Sequence, residues 1–156
     1  MVTRDLSYTY EEYTSLNQLS PKIRSLIEQA CKYAKMAYAP YSEFRVGAVA
    51  ELENGLTLSA NNQENAAYPS GLCAERGVLF FANANYPEVA VTRLVIVAYD
   101  KDGMTRAPVY PCGACRQVMI ESQDRFKKPM EVWMVGSESI QKVSSVDPLL
   151  PLKFSL

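Results

Sequence analysis

Four residues of this 156-residue chain could work as one chemical unit: Cys73, Cys112, Cys115 and Glu75. In Cys112-Gly113-Ala114-Cys115 two thiols stand three positions apart, and at the start of a helix such residues share one face. The partial positive charge of a helix N-terminus favours thiolates there. A metal site and a thioredoxin-like redox pair both use that arrangement, and two buried structural cysteines fit it as well, so the pair alone leaves all three readings open. Cys73 follows Pro69-Ser70-Gly71 and also falls at an expected helix start. A third sulfur aimed at the same point makes half a tetrahedron and shifts the balance toward Zn²⁺, which soft thiolates select. Three protein ligands leave the fourth position open, as in catalytic rather than structural zinc sites. The remaining thiol, Cys31, sits on the inward stripe of the first expected helix and reads as a small core residue.

Glu75 lies two residues beyond Cys73. At that offset it cannot share the cysteine's direction, but it can flank the open coordination position and carry protons there. The plainer reading is a solvent-facing acid in a first helical turn, favoured by the helix dipole. The chain contains no histidine. Ser-His-Asp and Cys-His machinery are therefore excluded, as are imidazole ligands and imidazole bases. Proton transfer near neutral pH falls to a tuned carboxylate, Lys, Cys or Tyr, or to a metal-activated water.

The elements that must position these residues are legible in outline. Ser20-Pro21 is an N-cap followed by proline at the first helical position, and Ile23, Leu26, Ile27, Ala30, Cys31 and Ala34 recur at helical spacing up to Pro40. Residues 45–51 read as a strand, Asn54-Gly55 as a two-residue hairpin turn, and 56–59 as the returning strand. A helix is expected over 72–85, a buried strand over 91–99, a short helix over 112–124, and strands over 130–135 and 140–146. The order α-β-β-α-β-α-β-β implies one mixed sheet with helices on its faces. Residues 3–13 alternate loosely and fit either an extra edge strand or a loose arm.

Length and composition agree with a single domain: 48% of residues are hydrophobic and 21% charged. A net charge of −1 gives no pull toward nucleic acid or an anionic membrane. The short basic run Arg125, Lys127 and Lys128 reads as a solvated turn. No apolar run is long enough to span a bilayer, and the first residues lack the order of a signal peptide, so a cytoplasmic protein with reduced cysteines is expected.

Together, Cys73-Ala74-Glu75-Arg76 and Pro111-Cys112-Gly113-Ala114-Cys115-Arg116-Gln117 resemble the small, homotetrameric three-cysteine cytidine deaminases. The likeness extends upstream through Ala39-Pro40-Tyr41-Ser42-Glu43-Phe44-Arg45-Val46-Gly47-Ala48 and Asn62-Gln63-Glu64-Asn65-Ala66-Ala67-Tyr68-Pro69, in the family's order. Related deaminases of deoxycytidylate, guanine or nucleic acid resemble a His-Ala-Glu or His-x-Glu pattern at the first ligand. Cys73 in that place sets this chain with the free-nucleoside group. The blasticidin deaminases share the three-cysteine layout and are the nearest competing substrate reading.

The resemblance implies a three-layer α/β/α sandwich with one mixed sheet of about five strands, a catalytic domain over 20–156, and an N-terminal arm over 1–19. It implies one Zn²⁺ per subunit on Cys73, Cys112 and Cys115, with Glu75 as proton carrier for hydrolysis of cytidine and 2′-deoxycytidine in pyrimidine salvage. It further implies that Phe44 packs on the pyrimidine, that Asn62 and Glu64 bind the ribose hydroxyls, and that Tyr68 lies near the sugar. Ala74 would offer its N–H to the base carbonyl, and Arg76 and Gln117 would donate to the thiolates. The plainer readings are a core aromatic for Phe44 and a polar turn for Asn62 and Glu64. The expected partners are a nucleoside and further copies of the chain, with sites at subunit interfaces, and neither nucleic acid nor membrane. From other classes, a thiol–disulfide protein would cycle Cys112 and Cys115 without metal, and a zinc-stabilised module would bind zinc and release no ammonia.

Overall fold

A computed structural model describes residues 1–155; Leu156, the last residue of the expected catalytic domain, lies outside the described residues. Helix α1 (Pro21–Lys35) starts where sequence places it, with Ser20 Oγ accepting from the Ile23 N–H at 3.4 Å. It buries Ile23, Leu26, Ile27, Ala30 and Ala34, one stripe at helical spacing. Strands β2 (Arg45–Leu52) and β3 (Thr57–Asn61) form the expected hairpin. Its loop is longer than the two-residue turn expected from Asn54-Gly55. Leu52 N–H donates to Leu56 at 2.8 Å, so residues 53–55 make the reversal. Gly55 alone takes a left-handed φ, of 84°, whereas a two-residue type I′ turn needs two such residues.

Helix α2 (Ala74–Asn85), strand β4 (Val91–Asp100), helix α3 (Gly113–Phe126) and strands β6 (Glu131–Val135) and β7 (Ile140–Val143) follow in the expected order. Among the described residues two further strands raise the count to seven, where about five were expected. One is β1 (Glu11–Tyr13), and the other is β5 (Gly103–Met104), a two-residue return against β4. The sheet runs β1-β7-β6-β4-β2-β3, with β4 and β6 parallel and the other pairs antiparallel.

Central strand β4 shows why the sandwich has three layers. Leu94 and Ile96 point to the face covered by α2 and α3, while Val95 and Val97 point to the face covered by α1, the period of two of a pleated strand. On the α1 side Gly47 of β2 is indispensable. A Cβ there would meet the Ala30 carbonyl oxygen at 2.1 Å and the Ala34 nitrogen at 2.6 Å. The missing side chain lets α1 lie directly on the sheet, while α2 and α3 bring their first turns together on the other side.

Candidate metal centre

Cys73 is the N-cap residue of α2 and Cys112 that of α3; both have extended backbones (φ −70°, ψ 150° and φ −67°, ψ 166°), and neither side chain caps its own helix. The sulfurs are thus left free to point elsewhere. Cys115, one turn into α3, is buried beneath them. The three sulfurs lie within 4.8 Å of one another, with Cys112 and Cys115 3.5 Å apart. A tetrahedral zinc with bonds of about 2.3 Å holds neighbouring sulfurs about 3.8 Å apart, so the set needs only slight adjustment to take the ion. Cys31 is on α1, across the sheet.

The cluster's electrostatics fit a cation. The Cys73 thiol is pushed down to about 5, first because Cys115 donates to its sulfur and then because of the Arg76 guanidinium. Cys115 is pushed up by making that donation and by burial. Arg76 Nη2 stands 3.7 Å from Cys73 Sγ, and its Nε is buried with no partner among the described residues. Gln117 is placed otherwise: its amide donates to the Phe154 carbonyl at 3.2 Å.

Glu75 is 5% exposed, which removes the reading of a solvated first-turn acid. Burial is the main cause that raises its carboxyl above the usual carboxylate range, and the neighbouring Cys73 thiolate adds to it. Ala74, wholly buried, opens α2, where no intrahelical carbonyl reaches its N–H.

A cleft of about 450 Å³ opens beside Cys73 and Arg76, walled by Asn62, Glu64, Tyr68 and two residues that sequence reasoning gave no role, Tyr41 and Ser42. The Tyr41 and Tyr68 rings meet edge to face, 6.1 Å between centroids. Glu64 accepts from the Tyr41 N–H at 2.8 Å and from the Ser42 hydroxyl, and the Ser42 contact is the chief cause that lowers its pKa. Asn62 Oδ1 accepts from the Val46 N–H at 2.7 Å, and its Nδ2 donates to the Phe44 carbonyl at 2.9 Å. Both side chains therefore clamp the 41–46 segment as well as facing the cleft. Phe44 is half-buried next to that clamp and is not part of the cleft wall. The one signal for Tyr41 and Ser42 was their place inside the Ala39–Phe44 segment.

The family pattern described as "Cytidine and deoxycytidylate deaminase zinc-binding region" matches residues 20–128. The chain is 45% identical over 96 residues to the cytidine deaminase of Halalkalibacterium halodurans, covering 62% of this chain and 68% of that protein. It is 36% identical over 133 residues to the cytidine deaminase of Sporosarcina psychrophila, covering 85% and 91%. Among solved structures, the crystal structure of cytidine deaminase from Burkholderia pseudomallei superposes with a TM-score of 0.71 at 39% identity, spanning 84% of this chain and 98% of that one.

Proposed function

The chain belongs to the cytidine and deoxycytidylate deaminase family, and from that premise we propose that it hydrolyses the C4 amino group of cytidine and 2′-deoxycytidine, releasing ammonia. The observation that carries this reading is the convergence of three cysteine sulfurs beside a buried carboxylate. Cys73, Cys112 and Cys115 would hold one zinc ion per subunit. Zinc in such a site supplies Lewis acidity, bringing the pKa of a water down to about 7.

The chain's own residues do the rest. Glu75 takes a proton from the attacking water and delivers it to N3 of cytosine. It then takes the proton of the hydroxyl newly added at C4 and passes it to the departing amino group, so that ammonia leaves and C4 becomes a carbonyl. Ala74 donates its N–H to the base carbonyl, and Phe44 packs on the ring from the foot of β2. Asn62 and Glu64 meet the ribose hydroxyls while holding the 41–46 segment, and Tyr68 closes the sugar side. Arg76 steadies the Cys73 thiolate, whereas Gln117 would donate to a thiolate only on releasing the Phe154 carbonyl. The catalytic unit is residues 20–156, with 1–19 an added arm.

Exposed Phe80 and Phe81 on α2 and Tyr68 at the cleft, 49%, 53% and 77% accessible, favour burial against further copies in a homotetramer. Light scattering tests that directly. No helix among the described residues is long and apolar enough to cross a membrane. The reading extends to a cytoplasmic enzyme of pyrimidine salvage, and a net charge of −1 gives no pull toward nucleic acid or an anionic membrane.

The deciding measurement is zinc content together with ammonia release from cytidine, deoxycytidine and blasticidin S. Glu75→Gln should keep zinc and lose roughly 10²–10⁴-fold in turnover. Undiminished turnover would remove Glu75 from its role. Bound zinc without ammonia release would leave a structural module, and reversible Cys112–Cys115 oxidation without zinc would leave a thiol–disulfide protein.

A further inference from the structure

The arm precedes residue 20, where the family match begins, yet it is tied into the fold. Strand β1 pairs with β7 in the register Glu11↔Lys142, Glu12↔Gln141, Tyr13↔Ile140. Tyr13 stacks on Trp133 with ring centroids 5.6 Å apart, and Glu11 accepts from Lys142 Nζ at 2.7 Å. Those contacts lie on the α1 face. By the period of two, Tyr10, Glu12 and Gln141 turn to the opposite face, the one that carries the three cysteines.

On that face Tyr110 Oη donates to Gln141 Oε1 at 2.7 Å. Tyr110 is two residues before Cys112, and the residue between them, Pro111, is held from the other side. Arg116 Nε donates to the Pro111 carbonyl and its Nη1 to the Leu149 carbonyl, both at 2.8 Å. Tyr8 and Tyr10 of the arm come up beside Tyr110, Arg116 and Gln141 around a cleft of about 320 Å³. A continuous set of contacts therefore runs from the arm through β7 to the one exposed cysteine of the cluster.

We propose that Tyr110 and Gln141 are positioning residues that, backed by the β1 strap, hold the Cys112 loop in place and so govern how fast the metal leaves. This rests on the reading of Cys73, Cys112 and Cys115 as zinc ligands. Cys115 is fixed inside α3, and Cys73 is held by Arg76. Cys112 caps α3 from outside, its carbonyl accepting from the Arg116 N–H at 3.0 Å, and it is the exposed member of the three. Its side chain therefore has the least packing to hold it, and the tether on its loop limits release. Groups that orient a metal ligand change affinity by roughly 10–100-fold.

The test uses the full chain with Tyr110→Phe, Gln141→Leu, Gln141→Glu and Glu12→Pro. Zinc release to a chromogenic chelator is timed in each, alkylation of Cys112 by iodoacetamide is timed in the metal-free chain, and Tm is recorded. Tyr110→Phe and Gln141→Leu should release zinc roughly 10-fold faster and alkylate Cys112 faster at unchanged Tm. Gln141→Glu, which keeps an acceptor, should restore both rates, and Glu12→Pro, which unpairs the strap, should raise them. Wild-type rates in both Tyr110→Phe and Gln141→Leu overturn the proposal, as does acceleration that only follows a fall in Tm. A wild-type chain that binds no zinc instead overturns the ligand reading, and the strap then stands or falls on Cys112 alkylation alone.

Discussion

Helix α1 begins on Ser20, whose hydroxyl satisfies a backbone N–H of its own first turn; helices α2 and α3 begin on Cys73 and Cys112, whose side chains satisfy none. The difference divides the molecule by sheet face. On the α1 face each local choice serves packing: the cap, the apolar stripe, and the glycine that admits the helix. On the α2/α3 face two helix starts forgo a cap worth about 1 kcal/mol each, and a carboxylate is buried at further cost. The helix N-termini favour thiolates there, so what is lost in helix stability becomes an electrostatic seat for a cation.

Cys73→Ser tests that contrast most severely. It should abolish zinc binding and turnover, a loss beyond the roughly 10–100-fold that a supporting hydrogen bond contributes. The hydroxyl can cap α2, so the metal-free variant should be about 1 kcal/mol more stable than the metal-free parent in urea unfolding. A variant that is both inactive and less stable would erase the distinction between the two faces. On the α1 side, Gly47→Ala should cost about 1–3 kcal/mol, because the new methyl can be relieved only by lifting α1 off the sheet. Calorimetry should show that loss while zinc content stays at the parent level.

Ser20→Ala should lower stability by about 1 kcal/mol and leave kcat unchanged. A fall in kcat would mean that the two faces are coupled. The smallest effect concerns β1. Lys142, and then Tyr13, hold Glu11 below its usual 4.5, so the contact contributes fully above that pH and fades as pH falls through the lowered value. For so exposed a pair this amounts to less than about 1 kcal/mol. Amide protection factors, that is exchange rates corrected for the intrinsic pH dependence, should fall at residues 11–13 on going from pH 5 to pH 3, with those of α1 unchanged.

What could be read from sequence follows the same division. Ser20-Pro21, the helical stripe and the unbroken Val91–Tyr99 run are local signals, and the structure bears them out. The three cysteines were legible because few residue types bind zinc and none here is histidine. Strand β1 was not decidable, since its partner Lys142 lies 131 residues away and nothing within residues 3–13 encodes it. β5 is two residues long and below any periodic signal. The clamp of Asn62 and Glu64 on the 41–46 segment depends on where the β2–β3 hairpin sets their side chains, and spacing does not carry that.

The pairing of β1 with β7 also sets an order of events in folding. The hairpin of β2 and β3 closes over a few residues, but β1 must wait for Lys142, 131 residues further along, to be synthesised before it can pair. Closing so long a loop is slow, and it yields only one edge pairing. Among the described strands, β1 is first in sequence and last to dock. Until it does, the outer edge of β7 offers unpaired backbone groups to any other extended chain, so nascent molecules are most exposed to association just before residues 11–13 settle on that edge.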